Sequence, residues 1–346
     1  MVKSNAFGLD IGTTTMKVVS VSRDDKHIVY NAALSAFTPE RGMQSESPFD
    51  HQEMAVMINK LVIDAKITTN NVNIALPENH LYTRVIDMPL LSNEELSNAI
   101  YWEAEQYVPA PLDTVTLAWS KLREYRSPLG DNKMQVLLVV APKELIKKYQ
   151  NILDLAGLTI VSIETELLAL IRGIIADNNS PTALLINVGA MNTSLCIIQN
   201  GIIVFNYSFP MGGIELTDAI PSDFGFAPAQ AEEYKMVYGL SDKQFEGKVR
   251  KAIDPILTSM INEVRKAITV YNERYKGDSA ISQILLTGGS ASLPGLAAYF
   301  AQNMGIETLI ANPWKMLNVQ NVPQDVMEKG PSYAIALGLA LKEYES

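Results

Sequence analysis

The sequence is poor in the residues that staple or metallate small proteins. A single cysteine among 346 residues excludes an intrachain disulfide, and Cys196 sits in an apolar, strand-like run that fits a reducing compartment. Three scattered histidines, His27, His51 and His80, assemble neither a zinc cluster nor a histidine-based triad by sequence spacing. No apolar run approaches bilayer-spanning length; Val136-Leu137-Leu138-Val139-Val140-Ala141 has the length of a buried strand. Lys3 leads straight into the strand-like Ala6-Phe7-Gly8-Leu9, which leaves no room for a signal peptide, so export is not expected. Positive charge is also short: 28 Lys and Arg face 38 Asp and Glu, a net charge of −10 that argues against a nucleic-acid binder. Lys143, Lys147 and Lys148, and Lys248, Arg250 and Lys251, stand among carboxylates in helix-like stretches and read as solvated faces.

What is present is 47 % apolar residues without a low-complexity tract, enough for at least two cores, and an internal repeat. Residues 9–34 and 186–209 each read as strand, glycine motif, strand, polar turn, strand. The turns are Arg23-Asp24-Asp25-Lys26 and Gln199-Asn200-Gly201, and Asn-Gly is a strong hairpin signal because both positions tolerate positive φ. Two related α/β domains facing each other follow from this duplication. Ser92 to Glu95 has capping-box spacing, and Leu96, Ile100, Ala104 and Tyr107 then share one helical face until Pro109 and Pro111. A second amphipathic helix carries Leu145, Tyr149, Ile152, Leu153 and Ala156 before Gly157. Strand-like runs at 82–88, 115–122 and 134–141, the last two joined through residues 127–132, complete a strand, helix, strand, strand, helix block that reads as a subdomain inserted in the first half. Helices over residues 229–238 and 248–276 form a comparable insertion in the second.

Phosphate chemistry begins at Asp10-Ile11-Gly12-Thr13-Thr14-Thr15-Met16-Lys17. Gly12 keeps no side chain between backbone and phosphate, and Thr13, Thr14 and Thr15 add hydroxyls beside the N–H groups. Lys17 adds a point charge, and Asp10 is placed to hold Mg²⁺ through its water shell. The second copy offers Asn187, Gly189, Asn192 and Thr193 to the opposite side of the same phosphates. A plain tight hairpin remains the alternative for each. Gly212 and Gly213 precede a helix start, where unpaired N–H groups favour anions. Glu232 and Lys235 share a helical face within reach of a ribose or adenine edge, or form a surface ion pair. The turn Gly288-Gly289-Ser290 after a buried strand brings backbone close to a flat ligand, or is a simple strand-to-helix loop.

In this order the segments resemble the actin-like ATPase superfamily, with its two phosphate hairpins and adenosine-binding Gly-Gly turn. More narrowly, residues 88–96, 102–109 and 210–217 resemble the PilM family of type IV pilus assembly proteins, which is related to the division protein FtsA. The resemblance implies an actin-like two-domain fold in which residues 1–82, 159–180 and 331–346 form the first core, 83–158 the inserted subdomain, 181–220 and 280–330 the second core, and 221–279 its insertion. It also implies a cytoplasmic protein, recruited to the inner face of the membrane, with ATP-Mg in the interdomain cleft. The implied partner is the N-terminal cytoplasmic peptide of a PilN-like membrane protein, docked in a groove around residues 72–84 and the facing insert. Superfamily members orient attacking water with a carboxylate or glutamine after the insert, and Glu164 is the candidate here, with a helix N-terminal carboxylate as the alternative.

One departure stands out: Asn187 occupies the usual Asp position of the second phosphate motif, so hydrolysis is expected to suffer more than binding. An FtsA-like or polymerising scaffold is the competing reading. A small-molecule kinase is weaker, since no catalytic base follows the second motif. FtsA-type proteins end in an amphipathic membrane helix, whereas here the acidic Lys342-Glu343-Tyr344-Glu345-Ser346 makes direct anchoring unexpected.

Overall fold

The computed structural model describes residues 6–24, 27–108, 110–126, 130–175, 181–220, 226–275 and 280–345. Lys3, Asp25, Lys26, Pro109, residues 127–129 and Lys276, which entered the sequence reading, lie outside them, as does the Tyr107 side chain.

The first half opens with β1 (Phe7–Ile11), β2 (Thr15–Asp24) and β3 (His27–Phe37), then α1 (Pro48–Asp64) and β4 (Asn71–Leu76). A detour of β5 (Tyr82–Pro89), α2 (Asn93–Tyr107), β6 (Val115–Arg126) and β7 (Asn132–Pro142) follows before α3 (Lys143–Leu155), β8 (Thr159–Thr165) and α4 (Glu166–Ile174). Its sheet runs β3-β2-β1-β4-β8, antiparallel through the hairpins and parallel beyond β1. β1 and β4 are mostly apolar and almost wholly buried, as sheets covered on both faces require.

The second half repeats the plan. β9 (Ala183–Val188), β10 (Thr193–Gln199) and β11 (Ile202–Phe209) form the hairpins; α5 (Gly213–Asp218), α6 (Pro228–Tyr238) and α7 (Lys248–Arg274) lead to β12 (Gln283–Thr287), α8 (Leu296–Met304) and β13 (Glu307–Ile310). The sheet order β11-β10-β9-β12-β13 and its strand directions match those of the first half one for one. At the expected Asn-Gly turn both residues adopt positive φ, Asn200 at 52° and Gly201 at 75°.

The insert is a three-stranded antiparallel sheet, β5-β7-β6, with α2 on one face. Ser92 and Glu95 form the expected capping box, and Leu96, Ile100 and Ala104 pack on Ile86, Val136 and Leu138. The opposite face contributes Val85 and Leu137 to an apolar cluster that also holds Leu167 and Leu170 of α4 and Leu185 and Cys196 of the second sheet. Three side chains from the second half fasten the insert's edges: Asn206 donates to the Thr83 carbonyl at 2.9 Å, Arg274 to the Val85 carbonyl at 3.0 Å, and Arg123 of the insert reaches Gln199 at 2.8 Å.

Two segments pack elsewhere than their sequence neighbourhood indicates. The helix expected in the insert, α3, buries Tyr149, Ile152 and Leu153 with α1 in the first-half core, because its apolar stripe faces that sheet. The chain also returns to the first half earlier than residue 331. After α9 (Pro313–Met316) and α10 (Gln324–Glu328), the residues Trp314, Val319 and Val326 pack on Val19 and Val21 of β2. The last helix, α11 (Ala334–Ala340), lies against α4 so tightly that a Cβ on Gly338 would fall 1.7 Å from the Ala169 carbonyl. Among the described residues no helix is long and apolar enough to cross a membrane.

Candidate functional site

Where the two hairpin pairs face each other, a cavity of about 1810 Å³ opens between the halves. Its two glycine turns are built alike. The Gly12 N–H donates to the Thr15 carbonyl at 3.1 Å, and the Gly189 N–H to the Asn192 carbonyl at 3.0 Å. A Cβ on either glycine would stand 2.8 Å from the carbonyl it engages, so both loops depend on the missing side chain. Thr13 and Thr14 are exposed at the tip of the first turn. Thr38 ties that turn down, donating to the Gly12 carbonyl through Oγ1 at 2.7 Å and to the Thr14 carbonyl through its N–H at 3.0 Å.

Strand register explains the charges beneath the turns. Asp10 of β1 lies opposite Lys17 of β2, and both are at least nine-tenths buried with Nζ 3.7 Å from Oδ2. Lys17 also donates to Thr15 Oγ1 at 2.8 Å, which aims the ammonium toward the turn. In the second hairpin the same register pairs Asn187 with Ser194, so a neutral couple replaces the ion pair.

Several candidate groups are already committed. Gly213 N–H donates to the Gly189 carbonyl and Ile214 N–H to the Ala190 carbonyl, both at 2.9 Å, while Gly212 N–H donates to Glu215 at 2.8 Å. The glycine-led start of α5 is therefore a brace for the second glycine turn, not an open anion site, because these N–H groups are paired. Thr193 likewise spends its hydroxyl on the Met211 carbonyl at 2.8 Å. Lys235, 1 % exposed, donates to the Gly213 carbonyl (2.8 Å), Thr217 Oγ1 (2.8 Å) and Glu232 (2.6 Å). The ion pair with Glu232 exists, but it anchors a buried amine while Glu232 itself stays half-exposed at the cavity rim. Ser290 joins this corner, since a Cβ on Gly213 would meet its Oγ at 2.3 Å. Gly288, at φ +92°, passes 2.5 Å (measured from an ideal Cβ) from the Val188 carbonyl, and Gly289 beside it has open space.

Glu164 is not in the cleft. Its carboxylate takes two hydrogen bonds from Arg172, at 2.6 and 2.8 Å, with Lys342 3.6 Å away, and it does not line the cavity. Glu166, two residues on, does line it. Thr165 caps α4 by accepting from the Leu168 N–H at 3.2 Å, and this turns Glu166, the first helical residue, into the cleft. Sequence reasoning also misses Glu78, buried in the short 3₁₀ turn Glu78–His80 and lining the same cavity. Its Oε1 accepts the Leu167 N–H at 3.3 Å.

Asp10, Glu78 and Glu166 thus share one buried acidic pocket. Burial raises all three pKa values; the Lys17 charge pulls Asp10 back, and the Leu167 N–H does so for Glu78. Glu166 is pushed up to about 8, by burial first and then by the charges of Asp10 and Glu78. Among the described residues no three His, Cys, Asp or Glu side chains converge closely enough to cage a metal directly.

A sequence model described as type IV pilus assembly protein PilM matches residues 8–344. Among solved structures, a PilM-PilN type IV pilus biogenesis complex superposes with a TM-score of 0.85 at 27 % identity, covering 99 % of this chain and 100 % of that one. MreB5 of Spiroplasma citri bound to ADP, at 14 % identity, matches with a TM-score of 0.54 over 98 % and 95 % of the two chains and shows the shared actin-like fold. Among curated proteins, the cell division protein FtsA of Enterococcus hirae is 23 % identical over 351 residues, spanning 89 % of this chain and 78 % of FtsA. FtsA of Escherichia coli K12 is 21 % identical over 62 % of this chain and 57 % of its own length. With the family match running almost end to end over a duplicated fold that carries both glycine hairpins, the chain belongs to the family of the type IV pilus assembly protein PilM.

Proposed function

We propose that this pilus assembly protein is a nucleotide-dependent adaptor that holds ATP-Mg between its halves and the N-terminal cytoplasmic peptide of a PilN-like membrane protein beside its insert. The observation that carries the reading is the pair of glycine turns of like construction facing each other across one cavity, each closed by a glycine N–H on a carbonyl three residues ahead.

The residues fit the ligand. Gly12, Gly189 and Gly288 keep backbone where a Cβ would block it, and Gly289 leaves an open face for a nucleoside. Lys17, pre-aimed by Thr15, places a buried positive charge against phosphate oxygens. Asp10 is suited to a water-shell contact with magnesium, which takes one or two carboxylates and not a protein cage. Glu232 and Ser290 stand at the nucleoside end, with Lys235 fixing Glu232 from behind. Bound ATP-Mg supplies a transferable γ-phosphoryl group whose charge the cation neutralises. This chain's own groups favour holding it over cleaving it. The Asn187/Ser194 couple brings no charge to the second side, where a carboxylate would organise metal-bound water.

For the peptide, residues 72–76 are unavailable because β4 is internal to the first sheet. The cavity instead extends along Pro77, Asn79 and His80 and along Pro142, Glu144 and Leu145, where both ends of the insert leave the first half. The resemblance to the PilM-PilN complex over the whole chain supports a PilN-like partner. Contact with the membrane is then indirect, through that partner, on its cytoplasmic face. A fluorescent synthetic peptide carrying the first residues of the cognate PilN-like protein is expected to bind saturably and to be displaced by unlabelled peptide. No binding with or without ATP-Mg overturns the adaptor reading.

A further inference from the structure

Helix α1 (Pro48–Asp64) is apolar on two faces. One carries Met54, Ala55, Ile58, Leu61 and Val62 into the core of the first half. The other is turned to solvent, where Phe49 is 87 %, Val56 56 % and Ile63 64 % exposed. These three recur every seven residues, and a straight helix drifts only about 20° per heptad, so they form one seam along it. Single exposed apolar residues need no explanation, but a heptad seam has the form that pairs with another helix. The residues flanking the seam indicate which helix. Glu53 and Lys60 stand on one flank, three residues before Val56 and four after it, while Gln52 and Asn59 stand on the other, four before and three after; all four are exposed. Along the helix axis Glu53 is about 4.5 Å to one side of Val56 and Lys60 about 6 Å to the other. A two-fold axis at Val56 that pairs α1 antiparallel with a copy of itself therefore sets Glu53 of each copy beside Lys60 of the other. The same operation sets Phe49 against Ile63. It also brings Gln52 to Asn59, whose Nδ2 is given to the Ala156 carbonyl at 3.0 Å and whose Oδ1 is left to accept.

We propose that the solvent face of α1 is the contact surface for a second copy of this chain, joined through a two-fold, antiparallel pairing of the two helices about Val56. Such a contact is isologous: the same patch serves both copies, and its apolar, charged and amide positions each meet their complement. Opposite charges at positions 53 and 60 make the helix complementary to itself in this orientation. A seam between two 17-residue helices is small beside an obligate interface, so the association is reversible and micromolar. The seam residues do not line the cavity between the halves, so pairing leaves the cleft open and stands apart from the adaptor reading.

Sedimentation velocity of the full chain across the micromolar range tests the pairing, with melting curves to establish that each variant folds. The wild type is expected to pass from monomer to dimer as concentration rises. Lys60→Glu sets carboxylate against carboxylate at both ends of the seam, and Glu53→Lys sets ammonium against ammonium; each is expected to weaken the dimer at least about tenfold. The two exchanges combined in one chain restore opposite charges and are expected to return association to near the wild-type value. A short bismaleimide cross-linker reads the orientation: a mixture of Phe49→Cys and Ile63→Cys chains is expected to cross-link between the two variants, with the native Cys196 buried and out of reach. A wild type that stays monomeric overturns the proposal and leaves the seam to the helix of a different protein. A dimer that the single exchanges do not weaken, or that the combined exchange does not restore, forms through another surface and overturns it as well. Cross-linking within each cysteine variant alone, and not between the two, contradicts the antiparallel pairing.

Discussion

Replacing Glu166 by Gln should make the protein more stable in alkali, and by an amount that grows with pH. The Glu166 carboxyl is raised from 4.5 to about 8 in the folded chain, so the native state holds a proton that the unfolded state releases. Between those two values stability falls as pH rises, and above about 8 the penalty is complete. A rise of roughly 3.5 units corresponds to an upper limit of roughly 5 kcal/mol at 1.36 kcal/mol per unit. Asp10 and Glu78 are raised in the same pocket and relax when their neighbour is neutral, so a net gain of about 1–3 kcal/mol at pH 9 is the working expectation. In thermal unfolding that amounts to roughly 2–6 °C, shrinking below about 1 kcal/mol by pH 5. Melting curves of wild type and Glu166→Gln from pH 5 to 9 without ligand provide the assay. Parallel curves, or a variant less stable at pH 9, would refute the buried, charge-crowded environment assigned to Glu166.

Arg172→Ala should destabilise the fold by about 3 kcal/mol, since it strips both hydrogen bonds from the buried Glu164 carboxylate, yet leave nucleotide affinity within about threefold, as measured by denaturant unfolding and ligand titration. Gly288→Ala forces a side chain to φ +92° against the Val188 carbonyl, and should cost about 2 kcal/mol or more and at least about tenfold in nucleotide affinity. Asn187→Asp should raise steady-state ATP hydrolysis by on the order of tenfold or more, and an unchanged rate would show that the neutral residue is not what limits turnover.

The duplicated sheets are legible in the sequence because each hairpin carries local signals: a glycine at the turn, strand-length apolar runs, and Asn200-Gly201 at the far end. Local signals do not say what a helix packs against. The stripe of α3 reads equally well as part of the insert or of the first core, and only the β7-to-β8 path puts Tyr149 and Ile152 beside α1. At Glu164 versus Glu166 the deciding fact is a cap: Thr165 ends the strand and starts the helix, so the following residue, not the preceding one, turns inward. That cap was visible as Thr before an apolar helical run. Pairing of the Gly213 and Ile214 N–H groups was not, since their acceptors lie over twenty residues earlier, in the turn between β9 and β10. Glu78 had no periodic pattern to mark it, lying in one 3₁₀ turn whose role depends on α4 nearly ninety residues away.

Calorimetric titration of ATP-Mg into the wild type and into Lys17→Ala tests the central claim most directly. Saturable one-site binding to the wild type is expected, with a loss of at least about tenfold when the buried ammonium opposite Asp10 is removed, equivalent to about 1.4 kcal/mol. Absence of binding to the wild type would contradict the nucleotide cleft itself, and equal affinity for both proteins would contradict the role given to the first glycine hairpin.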